Sequence, residues 1–122
     1  MTDRVFVSGL ELYCIIGVND WERHVLQKVR IDLEMEADCR TAGASDSLAA
    51  ALDYRAVAKH VQSLVEGSTY RLVEALAERL AAEVLAHFPA VSAVTVRVAK
   101  PGAVRFAEAV GVEIRRSREG GA

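Results

Sequence analysis

The sequence predicts an α+β domain in which an antiparallel sheet carries two helices on one face. Apolar residues alternate with period two near both ends of the chain, which marks strands. Two stretches in the middle repeat apolar residues at helical spacing. The resulting order, β-β-α-α-β-β, is not the strict alternation that builds a doubly wound parallel sheet. With 122 residues, the chain is long enough for one domain with a real core. Residues 1–117 are read as that single domain and 118–122 as a flexible C-terminal tail.

The elements follow in order. Arg4 to Ser8 alternates and favours a first strand. From Lys28 to Glu36 the pattern is clearer: Val29, Ile31, Leu33 and Met35 share one face, and charged residues fill the other. The connection between them holds Gly17 to Arg23 and is longer than a hairpin needs, so it is read as functional. Asp38 to Leu52 is small and polar, with no secure strand or long helix. Asp53 caps a helix that starts at Tyr54, with Val57, Val61, Leu64 and Val65 on its apolar stripe and Gly67 as its stop. Ser68 or Thr69 is read as the cap of a second helix, striped by Leu72, Leu76, Leu80 and Val84 and ended by Pro89. Val91 to Ala99 reads as the third strand and Val110 to Arg115 as the fourth. Pro101 cannot donate to a ladder, so Lys100 is placed at a strand end, where its side chain can point into a cleft. A four-stranded sheet has exposed edges, which joining copies edge to edge would cover.

Composition narrows the function. Hydrophobic content is 52 %, charged content 26 % and net charge −2, an ordinary globular balance with no electrostatic footprint for nucleic acid. No apolar run approaches the ~20 residues of a membrane span. Asp3 and Arg4 interrupt the start, so no export signal is expected. Cys14 and Cys39 form no CxxC pair and are expected to pack as reduced thiols in a cytoplasmic protein. The cluster Arg115-Arg116-Ser117-Arg118 is read as a strand end fraying into solvent. His24, His60 and His87 have no metal-ligand spacing, and neither a Gly-rich phosphate loop nor a GxSxG elbow occurs.

Lys100, Tyr54, Glu74 and Glu22 remain as candidates. Each has an ordinary reading of its own: a surface lysine, a packing tyrosine, a carboxylate suited to a helix N-terminus, a solvated loop acid. Their joint meaning comes from a resemblance. Ile16-Gly17-Val18 followed by Trp21-Glu22-Arg23 and Gln27, then Leu52-Asp53-Tyr54, Leu72-Val73-Glu74 and Lys100-Pro101-Gly102-Ala103 resemble the dihydroneopterin aldolases, folate-pathway enzymes.

That resemblance implies the tunnelling fold, in which subunit sheets close into a β-barrel, as a tetramer ring or an octamer with pockets between subunits. It implies retro-aldol cleavage of a small-molecule pterin, 7,8-dihydroneopterin, to 6-hydroxymethyl-7,8-dihydropterin and glycolaldehyde. C2′ epimerisation to 7,8-dihydromonapterin can accompany cleavage. No cofactor, metal or lysine Schiff base is implied, because the C6=N5 bond is already an electron sink. The implied catalytic residues are Lys100, for acid-base chemistry, and Tyr54 from a neighbouring chain, which flanks the pterin and helps deliver a proton. Glu74 and the backbone near Val73 are implied to hold the pterin edge, and Glu22 the glycerol-like side chain. A lysine base at neutral pH calls for desolvation or a neighbouring positive charge. The alternatives are a dihydroneopterin triphosphate epimerase and a non-catalytic pterin-binding protein of the same fold.

Overall fold

The computed structural model describes residues 3–118. Four strands, β1 (Arg4–Cys14), β2 (Gln27–Glu36), β3 (Ala93–Pro101) and β4 (Ala109–Ser117), lie side by side in chain order. Every neighbouring pair is antiparallel. Between β2 and β3 the chain forms a short helix α1 (Arg40–Ser45) and two long ones, α2 (Tyr54–Glu66) and α3 (Val73–His87). Helix α2 packs on β1, and α3 packs on β3 and β4. The expected α+β order is therefore present. None of the helices among the described residues is long and apolar enough to cross a membrane.

The core lies between the helices and one face of the sheet. Val29, Ile31, Leu33 and Met35 supply its β2 stripe, and Val94, Val96 and Val98 its β3 stripe. Val57, Val61 and Val65 of α2 and Leu76, Leu80 and Val84 of α3 close it from the other side. Leu72, placed in the α3 stripe by spacing, instead precedes the helix and is half exposed.

The first strand runs six residues past its expected end at Ser8. A bulge between Val7 and Leu10 explains why alternation hid this. Val5 and Val7 lean on the core from odd positions, whereas Leu10, Leu12 and Cys14 do so from even ones. One extra residue switches the parity and keeps both sets on one face. Gly9 sits in the bulge at φ +71°, and its N–H donates to Asp32 Oδ1 at 2.6 Å.

Helix α2 starts where the sequence places it. Asp53 Oδ1 accepts from the Ala56 N–H at 3.0 Å. Helix α3 does not: its N-cap is Leu72, not Ser68 or Thr69. The Ser68 hydroxyl donates back to Val65 O at 2.7 Å and finishes α2 instead. The carbonyls of Thr69 and Tyr70 accept from Arg23, which keeps that loop out of the helix.

Strand β3 includes Lys100 and Pro101, two residues beyond the expected Ala99. Pro101 pairs with Ala109, and the next ladder bond is Gly102 N–H to Glu108 O at 2.9 Å. The basic end of the chain does not fray. Arg115 makes a two-pronged pair with Glu36 at 3.0 and 3.1 Å, and Arg116 pairs with Glu78. Arg118, expected in the tail, donates to the carbonyls of Leu85 in the last turn of α3 and of Phe88 and Val91 in the segment that follows it. The remainder of the expected tail, residues 119–122, lies outside the described residues. Both thiols are free, with Cys14 buried but Cys39 exposed rather than packed.

Candidate active site

Side chains on one strand alternate between faces, so Lys100 continues the stripe of Val94, Val96 and Val98. It stands on the core side of β3 at the point where the core ends. Its ammonium donates to Glu22 Oε2 at 2.7 Å, and the two side chains are only 14 % and 7 % exposed. Glu22 is the sole charged residue buried among the described residues. It comes from a 3-10 turn (Asp20–His24) in the connection after β1.

The Glu22 carboxylate is held on every side. Oε1 accepts from the Asn19 backbone N–H at 3.1 Å and the Asn19 side-chain amide at 2.9 Å. Oε2 accepts from Gln27 Nε2 at 3.1 Å, besides Lys100. The Lys100 bond, then the Gln27 bond, outweigh desolvation and hold the carboxyl down to about 2. Gly17 makes the space: a Cβ there would lie 2.2 to 2.4 Å from the carboxylate atoms of Glu22, and φ is +137°. The neighbour of Lys100 is thus a carboxylate: of the two conditions a lysine base calls for, burial is met and a neighbouring cation is not. Cys14 lies nearby, and desolvation raises its thiol pKa against the opposing influence of Ser68 and Lys100, which disfavours the reactive thiolate.

The loop before α3 is tied to the same place. Arg23 Nη1 donates to Gly17 O at 3.0 Å and to Tyr70 O at 3.1 Å. This brings the start of α3, with Val73 and Glu74 in its first turn, to the end of the sheet that holds Lys100. Val73 is half-buried and Glu74 is exposed. Glu74 has no ion pair among the described residues, so its carboxylate is free to accept from a ligand.

Tyr54 is not part of this grouping. It is 55 % exposed and lines a cavity with Val5, Ala37, Leu52 and Ala90, at the far end of the sheet. Ala90 precedes β3, and the seven steps from Ala93 to Lys100 span roughly 23 Å of strand.

Asn19 and Gln27, which hold Glu22 together with Lys100, carried no role in the sequence reading. Asn19-Asp20-Trp21-Glu22 has the spacing of a capping box, a local signal that pairs Asn19 with Glu22. The Gln27 and Lys100 contacts are set by the sheet and have no local signature.

The family model described as FolB: Dihydroneopterin aldolase matches residues 5–115. The dihydroneopterin aldolase of Escherichia coli (strain K12) is 44 % identical over 114 residues, 93 % of either chain. The structure of the E. coli dihydroneopterin aldolase in complex with neopterin superposes with a TM-score of 0.91 at 43 % identity, over 95 % of this chain and 100 % of that one. As fold alone, the likeness extends to the tunnelling-fold urate oxidase of Bacillus sp. TB-90, with a TM-score of 0.70 at 11 % identity over 95 % of this chain and 51 % of that one. With the family match running from β1 to β4 and through every segment that builds the Lys100–Glu22 pair, the chain belongs to the dihydroneopterin aldolase family.

Proposed function

We propose that this chain performs the retro-aldol cleavage of 7,8-dihydroneopterin in folate biosynthesis, releasing 6-hydroxymethyl-7,8-dihydropterin and glycolaldehyde. The observation that carries the reading is the buried Lys100–Glu22 pair at the same end of the sheet as the free Glu74 carboxylate. One end of this grouping suits a pterin edge and the other a polyhydroxyl side chain. Glu74 accepts N–H bonds from the aminopyrimidinone, with the backbone of Val73 beside it. Glu22 exchanges one of its present bonds for the substrate's side-chain hydroxyls.

Lys100 takes the proton of the C2′ hydroxyl directly or through a water. The C2′–O bond becomes a carbonyl as the C1′–C2′ bond breaks. The released electron pair passes through C6 to N5, and glycolaldehyde leaves. A proton delivered to C1′ with the help of Tyr54 completes the hydroxymethyl group. The ring accepts the electron pair, so the steps call on no metal and no organic cofactor. The amine of Lys100 is engaged by Glu22 rather than presented as a nucleophile, which suits proton transfer over Schiff-base formation.

Tyr54 lies more than ~20 Å along the sheet from Lys100, so one chain cannot bring both to one substrate. We assign the pocket to two chains of a homo-oligomer, with Tyr54 supplied by the neighbour. Exposed Phe6, Trp21, Leu26 and Tyr54 are the kind of apolar surface that such contacts cover. A cytoplasmic setting fits the two free thiols.

The test is turnover with dihydroneopterin, dihydroneopterin triphosphate and dihydromonapterin, following glycolaldehyde and the pterin products. Glycolaldehyde release from dihydroneopterin supports the reading. Inversion of the triphosphate without cleavage makes the chain an epimerase. Pterin binding without any turnover makes it a binding protein.

A further inference from the structure

Three side chains on the outer helices meet away from the Lys100–Glu22 pair. His60 comes from α2, while Glu83 and His87 lie one turn apart on α3. Glu83 Oε1 is 2.9 Å from His60 Nε2 and 3.3 Å from His87 Nε2. One ligand atom from each of the three lies within 4.8 Å of the others. Around a tetrahedral zinc ion, ligand atoms sit about 3.3 Å apart. The three atoms therefore need only a small closure to share one cation.

The surroundings also fit a metal. Arg79 Nε holds the second oxygen, Glu83 Oε2, at 3.4 Å, which fixes the carboxylate with Oε1 toward the histidines. Phe88 stands edge-on to the His60 ring at 6.1 Å and walls one side. The other side is open: His87 is 53 % exposed, leaving room for entry and for a water as fourth ligand. Two imidazoles and one carboxylate form a set that favours zinc-class cations over magnesium.

We propose that His60, Glu83 and His87 bind one zinc-class divalent cation, which staples α2 to α3. The site is separate from the pterin pocket. Glu83 lies nine positions after Glu74 on α3, about 13 Å of helix. The cation acts on the fold rather than on the cleavage.

The experiment uses the full chain without a tag, carrying Cys39→Ser so that the exposed thiol offers no competing ligand. After chelation and dialysis, zinc is titrated against a chromophoric competitor, with magnesium in parallel, and thermal unfolding is followed with and without zinc. The expected result is one zinc per chain, no magnesium binding, and a zinc-dependent rise in melting temperature. His87→Ala and Glu83→Gln should each weaken zinc by about tenfold or more, and His87→Ala should abolish the rise in melting temperature. His87 is mostly exposed, so its replacement leaves the metal-free melting temperature near that of the parent, which shows that it folds. Cleavage of dihydroneopterin by His87→Ala should match the parent, so failure of the metal site and failure of the aldolase reading register separately. No zinc binding, equal magnesium binding, or zinc affinity unchanged in both variants overturns the proposal and leaves a hydrogen-bonded helix contact only.

Discussion

Acid titration of stability tests the Lys100–Glu22 pair directly. Glu22 is held down to about 2 from 4.5, first by Lys100 and then by Gln27. A folded value below the unfolded one means that ionised Glu22 stabilises the fold above the unfolded value and stops doing so as pH falls through the folded one. At about 1.4 kcal/mol per unit, the shift amounts to about 3 kcal/mol near neutrality, of which about 2 is lost by about pH 3. The side chain is only 7 % exposed, so screening by solvent removes little of this. The assay is urea unfolding of the parent and of Glu22→Gln at fixed protein concentration, from about pH 6 to about pH 3, a range chosen to cross the linked window. Glu36, Asp38, Glu78 and Glu83 are also held low by partners, but they titrate in both proteins and cancel in the difference. The stability gap between the two proteins should shrink by about 2 kcal/mol across the range. In a Lys100→Met background it should shrink less, because the largest cause of the shift is gone. A gap that stays constant with pH would refute the ion pair as the state of Glu22 in the fold.

Lys100→Ala should keep the fold and pterin affinity but cut turnover by at least ~10²-fold; near-normal turnover removes Lys100 from the chemistry. Glu74→Ala should weaken a product pterin by about 2 kcal/mol in an equilibrium titration, and unchanged affinity places the anchor elsewhere. Gly17→Ala puts a Cβ 2.2 to 2.4 Å from the Glu22 carboxylate atoms, so Glu22 must move, and kcat/KM should fall by about 10²-fold. Lys100→Ala and Tyr54→Ala chains, unfolded together and refolded as mixed oligomers confirmed by mass, should regain about one intact pocket in four. No recovery above the parental average places both residues in one chain.

Local patterns carried most of the fold. Val29 to Met35 alternate without interruption, Asp53 caps its helix by its own side chain, and the α3 stripe repeats every four residues. Reading failed where a distant partner decides local structure. The bulge at Gly9 is pinned by Asp32, so alternation alone ends the first strand at Ser8. The cap of α3 moved because Arg23, 46 residues away from Thr69, takes the loop carbonyls. The C-terminal arginines read as solvated in sequence because their partners, Glu36, Glu78 and the end of α3, come from elsewhere in the chain. At the candidate site, the acid and the lysine were legible as members of a family pattern, but their bond spans 78 positions and has no local signal. His60, Glu83 and His87 were scattered for the same reason: the pairing of α2 with α3 makes the cluster, not the spacing.

The antiparallel order decides which residues can work together. β1 ends where β2 begins, and β3, running against β2, ends there too. Glu22, Gln27 and Lys100 therefore converge at one end of the sheet although they come from one loop and two different strands. α2 brings the chain back to that same end, where the loop carbonyl Tyr70 O meets Gly17 and Arg23 and α3 opens with Glu74. The other end collects what lies half a circuit away: the exit of β2 and the start of α2 with Tyr54. Parity of passes along the sheet thus assigns Lys100, Glu22 and Glu74 to one end and Tyr54 to the opposite end. No side-chain rotation crosses a gap of roughly 20 Å. If Tyr54 serves the reaction, a second chain must bring its own Tyr54 to the Lys100 end of the first. In that case each chain gives to one pocket and receives at another, and oligomer assembly is a condition of catalysis rather than a consequence of surface stickiness.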